Sequence, residues 1–142
     1  MLKGIPKIIS PELIKVLMEM GHGDEIVIAD GNFPGENIAR RCIRCDGHGT
    51  KELLEAILKL FPLDTYEKPV YIMEKVAGDS VKTPIWDDYA KIIKHYTDDK
   101  IEKIERFAFY ERAKSAYAVI MSGESALYAN IILKKGVIKD GE

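Results

Sequence analysis

The stretch GHGDEIVIAD, residues 21–30, contains the clearest strand signal of the chain together with two residues capable of chemistry. Its second half, Glu25 to Ala29, is a short run rich in β-branched residues and predicts a strand. Turn-forming residues flank this run, with glycines before it and the segment GNFPG after it. The stretch therefore predicts a strand between two loops, with His22 in the first loop and Asp30 where the second begins.

Helices and strands alternate on both sides of this strand. Ser10 as N-cap and Pro11 at the first helical position predict a helix that Gly21 ends. Thr50 is predicted to cap a second helix, and Thr83-Pro84 to start a third. Further strands are predicted at Cys42–Cys45, Val70–Met73, Ile101–Phe107, Tyr117–Met121 and Tyr128–Leu133, with a short helix around Glu111–Ser115. This order predicts an α/β fold, a single domain over residues 1–142 whose sheet has helices packed on it.

The composition and the absence of certain motifs disfavour several classes of protein. The 23 acidic and 21 basic residues give a net charge of -2 without long blocks of one sign, which disfavours nucleic-acid binding. No apolar run is long enough to cross a membrane, and no signal peptide is visible, so a cytoplasmic protein is expected. Two cysteines make no disulfide framework, in agreement with a reducing compartment. No glycine-rich nucleotide motif follows any predicted strand, so no nucleotide cofactor is expected.

His22 is the first candidate for catalysis. It stands between two glycines at a helix end, where its side chain has little cover and would face a cleft. Imidazole exchanges protons near neutral pH, so His22 suits acid/base chemistry, although a surface histidine on a capping turn fits the local pattern equally well. Asp30 could orient His22 or bind hydroxyl groups, but an Asp after a strand is more often a turn former. The two residues lie at opposite ends of the strand, so tertiary structure must bring them together.

Three other segments carry reactive side chains. Cys42 and Cys45, with His48 beyond, resemble a metal motif only weakly, because residues three apart in a strand face opposite sides and no second C-x-x-C exists. The run RFAFYER at 106–112 is typical of a half-buried strand that enters a helix. Tyr128 and Asn130 could hydrogen-bond the hydroxyl groups of a ligand, yet both are common where a strand begins. None of these segments defines a function alone.

Taken together, the pieces MGHGDEIVIAD, NFP, LDTY, TPIW, RFAFYERAKSAYAV, SGE and YANIILKKGV resemble the L-fucose mutarotase branch of the ribose pyranase/fucose mutarotase family. The resemblance covers nearly the whole chain and implies that family's fold. One departure is Cys45, which replaces an alanine in the family's R-A-D-G segment and supports a packing role for the cysteines.

The resemblance also implies roles for particular residues. His22 matches the family's proton donor, and Asp30 matches its substrate-binding aspartate. Arg106, directly before F-A-F-Y-E-R, matches a binding arginine of the fucose branch. The family's Y-x-N segment, which contacts substrate, matches Tyr128, Ala129 and Asn130. Tyr110 aligns with a histidine of the ribose branch and is a secondary candidate.

The implied activity is interconversion of the α and β anomers of free L-fucose by acid/base ring opening and closure, without metal or other cofactor. The family also implies a cytoplasmic homo-oligomer, with a ring-like decamer favoured and active sites near subunit contacts. Two alternatives remain open: a D-ribose pyranase, which Arg106 and the F-A-F-Y-E-R run disfavour, and a non-catalytic monosaccharide-binding protein.

Overall fold

Six strands and five helices make up the chain, and the computed structural model describes residues 1–142. The strands are β1 (Glu25–Ala29), β2 (Cys42–Cys45), β3 (Val70–Met73), β4 (Glu102–Ile104), β5 (Ala118–Ser122) and β6 (Ile131–Lys134). The helices are α1 (Pro11–Glu19), α2 (Gly35–Ile38), α3 (Thr50–Leu58), α4 (Ile85–Ile93) and α5 (Arg106–Ser115). The strands form one sheet in the order β2-β5-β1-β6-β3-β4, in which only β6 is antiparallel to its neighbours.

Helices cover both faces of this sheet. Successive residues of a strand point to opposite faces, so the EIVIA run, apolar at four consecutive positions, serves two cores. Ile26 and Ile28 join the larger core, which α1, α3 and α4 cover. Val27 and Ala29 join the smaller core under α5. The predicted α/β class, a sheet with helices packed on it, is confirmed. None of the helices is both long and apolar enough to cross a membrane.

Two predicted element bounds near the candidate site are wrong. The extended segment Ile101–Phe107 stops at Ile104, and Arg106 is already helical, because the Glu105 carboxylate accepts a hydrogen bond from the backbone N–H of Ala108 at 3.0 Å and caps α5. The predicted strand at Tyr128 begins only at Ile131, because Tyr128 has a φ of 56° and lies in the left-handed region. With these two differences, the side chains of Arg106 and Tyr128 lie at the same end of the strands.

Two helix caps also differ from prediction. Gly49, not Thr50, is the N-cap of α3, and the Glu52 carboxylate accepts the N–H of Gly49 at 3.0 Å. Thr50 is instead the first helical residue and is fully buried. Pro84 is the N-cap of α4, one residue later than the predicted Thr83 cap. The short helix α2 carried no sequence signal beyond its turn residues.

The candidate functional residues lie at two opposite ends of the strands, here called edges. The first, here called the cleft edge, is where β1, β3 and β4 end and β6 begins; it carries Asp30 and Tyr128. The second, the histidine edge, is where β1 begins and β6 ends, and it carries His22, since the N–H of Gly23 donates to the carbonyl of Lys135. Strand polarity thus separates the two groups of candidate residues.

Candidate functional site

A cleft of about 250 Å³ opens at the cleft edge. Its polar lining consists of Asp30, Asn32, Asp79, Arg106, Tyr110, Tyr128 and Asn130. Its apolar lining consists of Phe33, Met73, Val76 and Leu127. The cleft therefore combines donors and acceptors for hydroxyl groups with an apolar wall for carbon, which is the composition expected of a small-molecule site.

Asp30 and Asn130 are joined by a buried hydrogen bond at the floor of the cleft. The backbone N–H of Asp30 donates to Asn130 Oδ1 at 2.8 Å, which leaves the Asn130 amide NH₂ free for a ligand. Asp30 Oδ1 accepts the N–H of Asn32 at 3.0 Å, and Asp30 Oδ2 accepts the N–H of Ala129 at 3.4 Å. Burial raises the pKa of Asp30 above its ordinary value, and these backbone hydrogen bonds oppose that rise.

Tyr128 lies at the rim of the cleft with its hydroxyl bound on the protein side. The hydroxyl donates to Asp79 Oδ2 at 2.5 Å and accepts the N–H of Val76 at 3.3 Å. Its single proton is therefore committed, and one oxygen lone pair remains to accept a hydrogen bond from a ligand. The hydrogen bond raises the pKa of Tyr128 and lowers that of Asp79, so Asp79 is ionised at neutral pH.

Helix α5 contributes Arg106 from its first turn and Tyr110 from its second. The Arg106 guanidinium lies 4.6 Å from the centre of the Phe107 ring and belongs to none of the ion pairs of the chain. Tyr110 packs edge-on against Phe33 at 5.6 Å between ring centres. Arg106 thus lines, without an ion-pair partner, a cleft that also holds two carboxyl groups.

Ala129 occupies a different position from its two neighbours. Its side chain is fully buried in the larger core and does not line the cleft. Only its backbone takes part, because its N–H donates to Asp30 and its carbonyl accepts the Tyr89 hydroxyl at 2.6 Å. The segment Tyr128 to Asn130 therefore offers the cleft two side chains, on Tyr128 and Asn130.

His22 is absent from this cleft. It lies at the histidine edge, and the five residues of β1 separate the two edges by roughly 16 Å at about 3.3 Å per residue. The expectation that tertiary structure brings His22 and Asp30 together is therefore not met within one chain. The histidine side chain is 45% exposed and lies beside Tyr66, with 5.2 Å between ring centres.

Asp64 orients His22. Its Oδ1 lies 3.0 Å from His22 Nε2, and its carboxylate also accepts the backbone N–H groups of Thr65, Tyr66 and Glu67. Burial opposes ionisation of Asp64, but the bonds from His22 and the backbone prevail and hold its pKa below the ordinary value. An ionised Asp64 requires a proton on Nε2, which leaves Nδ1 of neutral His22 free to accept one.

Sequence reasoning missed Asp64 and Asp79 as candidate functional residues. Asp64 belongs to the segment LDTY, where an Asp before Thr and Tyr reads as a turn, and nothing local shows that its carboxylate is 3% exposed. Asp79 follows Gly78 in an exposed loop, and only the fold brings it to Tyr128.

Cys42 and Cys45 are free thiols, and no three metal-ligating side chains cluster in the structure.

Comparison with known proteins shows the family of the chain. Residues 3–138 match the model of the RbsD / FucU transport protein family. The chain belongs to this family. Fucose mutarotase of Danio rerio is 52% identical over 149 residues, which cover 99% of this chain and 97% of the relative.

Two solved structures extend the comparison. FucU from Bifidobacterium longum is 63% identical with a TM-score of 0.94, covering 96% of this chain and 100% of that one. Fucose mutarotase from Streptococcus pneumoniae, in complex with L-fucose, is 52% identical with a TM-score of 0.92, covering 97% of this chain and 100% of that one.

Proposed function

We propose that the chain is an L-fucose mutarotase, an isomerase that interconverts the α and β anomers of the free sugar. The observation that carries the proposal is the cleft between Asp30, Arg106, Tyr128 and Asn130, together with a carboxylate-oriented histidine. Identity of 52% over nearly the full length of a fucose mutarotase supports the same reaction.

The cleft residues divide between the two kinds of sugar contact. Arg106 and the Asn130 amide donate to sugar oxygens, whereas Asp30 and the free lone pair of Tyr128 accept from hydroxyl groups. Tyr110, whose ring is packed against Phe33, offers a further hydroxyl. Met73 and Leu127 supply apolar surface for the methyl group that distinguishes a 6-deoxy sugar from its parent.

His22 performs the proton transfer. Ring opening removes the proton of the anomeric hydroxyl and protonates the ring oxygen, and closure on the other face of the aldehyde reverses both steps. Nδ1 of His22 accepts the proton, Asp64 stabilises the resulting imidazolium, and the proton passes to the ring oxygen. Acid/base help of this kind accelerates a reaction about 10²–10⁴-fold, and no cofactor is required.

A second copy of the chain supplies His22 to the cleft. The rim of the cleft exposes apolar side chains on Val76, Phe107 and Leu127, and the histidine edge exposes Tyr66 beside His22. Contact between the histidine edge of one copy and the cleft edge of the next is head-to-tail, and such contacts form a ring when the rotation between copies closes. The family resemblance favours a decamer.

The free thiols Cys42 and Cys45 suit a reducing compartment, so we place the enzyme in the cytoplasm.

Saturation-transfer NMR between the anomers of L-fucose tests this function. The wild-type chain should accelerate exchange, and His22→Ala should return the exchange rate to its buffer value. His48→Ala is the matched control, because His48 also pairs with a carboxylate, Glu52, at 3.2 Å and lies outside the cleft. Full exchange activity in His22→Ala would remove His22 from the mechanism.

The two alternatives give different results in the same assay. A D-ribose pyranase would accelerate exchange of D-ribose more than that of L-fucose. A sugar-binding protein without catalysis would bind L-fucose in a calorimetric titration yet leave its exchange at the buffer rate.

A further inference from the structure

Helix α4 packs on the face of the sheet opposite α5, yet two of its side chains reach the backbone of the cleft. The indole Nε1 of Trp86 donates to the carbonyl of Tyr128 at 2.7 Å. The hydroxyl of Tyr89 donates to the carbonyl of Ala129 at 2.6 Å. Residues three apart share one face of a helix, so Trp86 and Tyr89 can donate hydrogen bonds to two consecutive carbonyl groups. They are called the α4 clamp below.

The backbone of Tyr128 and Ala129 has a conformation that contacts from other parts of the chain must stabilise. Tyr128 has a φ of 56°, a conformation that an aromatic residue adopts only when its surroundings enforce it. The peptide group between Tyr128 and Ala129 is held at both ends, its carbonyl by Trp86 and its N–H by Asp30. The orientations of the Tyr128 ring and of the Asn130 side chain therefore depend on how this peptide group is held.

Tyr89 differs from a phenylalanine by a hydroxyl that makes two buried hydrogen bonds. Tyr89 is fully buried, and burial raises its pKa far above the ordinary value, so the hydroxyl stays protonated and donates. Its oxygen also lies 2.5 Å from Thr50 Oγ1, which fixes it from the side of α3. A buried polar group with two short hydrogen bonds indicates a specific position for the carbonyl that it binds.

We propose that Trp86 and Tyr89 are positioning residues that hold Tyr128 and Asn130 in the sugar-binding orientation before the sugar arrives. Neither residue lines the cleft, so they act through the backbone. This inference rests on the proposed role of Tyr128 and Asn130 in binding L-fucose. Without the clamp, only a fraction of the chains has a binding-competent cleft, and the apparent dissociation constant rises by the inverse of that fraction.

Exchange kinetics as a function of L-fucose concentration test the clamp. Tyr89→Phe and Trp86→Phe should raise KM about tenfold, the value for a cleft that is competent about one-tenth of the time, and leave kcat within about twofold. Tyr117→Phe is the matched control, because it also removes one hydroxyl hydrogen bond, to Glu19 at 3.0 Å, away from the cleft. An unchanged KM in both clamp variants, or a fall in kcat with KM unchanged, would overturn the inference.

A second measurement needs no activity. Trp86 is the single tryptophan, so its indole N–H gives one NMR signal whose exchange with solvent reports the bond to Tyr128. Tyr89→Phe should speed this exchange, and saturating L-fucose should slow it again. If the indole is as protected in Tyr89→Phe as in wild type, the clamp is contradicted.

The Tyr128→Phe variant separates the two proposals. If it binds L-fucose like wild type, the proposed sugar site fails. If Tyr128→Phe is impaired in binding while the clamp variants are normal, only the clamp is overturned.

Discussion

At the scale of single residues, Asp64 decides which nitrogen of His22 is available. The carboxylate faces Nε2 and is itself held by three backbone N–H groups of its own loop. It resembles the orienting carboxylate of a catalytic triad, which fixes a tautomer and stabilises the imidazolium without taking the proton. Nδ1 of His22 is therefore the nitrogen that remains to accept a proton.

Asp64→Asn tests this arrangement through stability as well as activity. Loss of the charged acceptor should cost about 1–3 kcal/mol of unfolding free energy at pH 7, because four partly buried hydrogen bonds lose their ionised partner. The folded-state pKa of Asp64 is below the ordinary 3.8, so its contribution is complete above that value and is lost as pH falls through the folded-state pKa.

Urea unfolding at pH 7 and at a pH below the folded-state pKa of Asp64 measures this effect. Wild type should lose more stability than Asp64→Asn between the two conditions, and Asp140→Asn, an exposed control, should follow wild type. Equal acid sensitivity of Asp64→Asn and wild type would show that Asp64 is not held as described. Catalysed exchange should also fall in Asp64→Asn, since the imidazolium loses its counter-charge.

At the scale of elements, the N-terminus of α5 places Arg106. The Glu105 carboxylate caps this helix through the N–H of Ala108, and backbone hydrogen bonds hold the pKa of Glu105 below its ordinary value. Glu105→Ala should fray the first turn and weaken L-fucose binding with little loss of global stability. Glu105→Ser is the control that keeps a capping oxygen. Calorimetric titration should rank wild type and the serine variant above alanine; equal affinity for all three would contradict the role of the cap.

The loop that carries Asp64 depends on Gly136. A Cβ at this position would lie 2.5 Å from the carbonyl oxygen of Leu63 and 2.9 Å from Cα of Asp64, so the loop must shift. Gly136→Ala should cost about 1–3 kcal/mol of stability, the usual range for overpacking, and lower catalysed exchange by displacing Asp64 from His22. Gly47→Ala, with open space around its Cβ, is the control. Thermal unfolding and NMR exchange measure both effects, and wild-type values for Gly136→Ala would refute the packing argument.

Much of the element order was predictable, because it depends on local patterns. The β-branched run Glu25–Ala29 and the apolar stripe of α3 need no distant partner to be recognised. The bounds at Arg106 and Tyr128 were not predictable, because a Glu cap and a left-handed Tyr are unusual for their positions. The candidate site was also predictable only in part. Asp30 and Asn130 followed from the family resemblance. Asp64, Asp79 and the α4 clamp were not predictable, because they depend on contacts between residues far apart in sequence.

At the scale of the whole molecule, the sheet holds the two halves of the proposed site apart. The cleft edge carries the groups proposed for sugar binding, and the histidine edge carries the group proposed for proton transfer. Since β1 is rigidly paired with β5 and β6 along its length, no local movement of one chain brings the two edges together. The proposed proton transfer by His22 therefore requires at least two copies of the chain.

Complementation between two inactive variants tests this requirement most directly. His22→Ala has a complete cleft, and Asn130→Ala has a complete histidine edge, so each should be inactive alone. After the two are unfolded together and refolded at equal amounts, a site between two copies predicts roughly a quarter of wild-type exchange activity, because half of the clefts are intact and half of the neighbours supply His22. A mixture that forms oligomers of wild-type size but is no more active than its separate components would contradict a shared site.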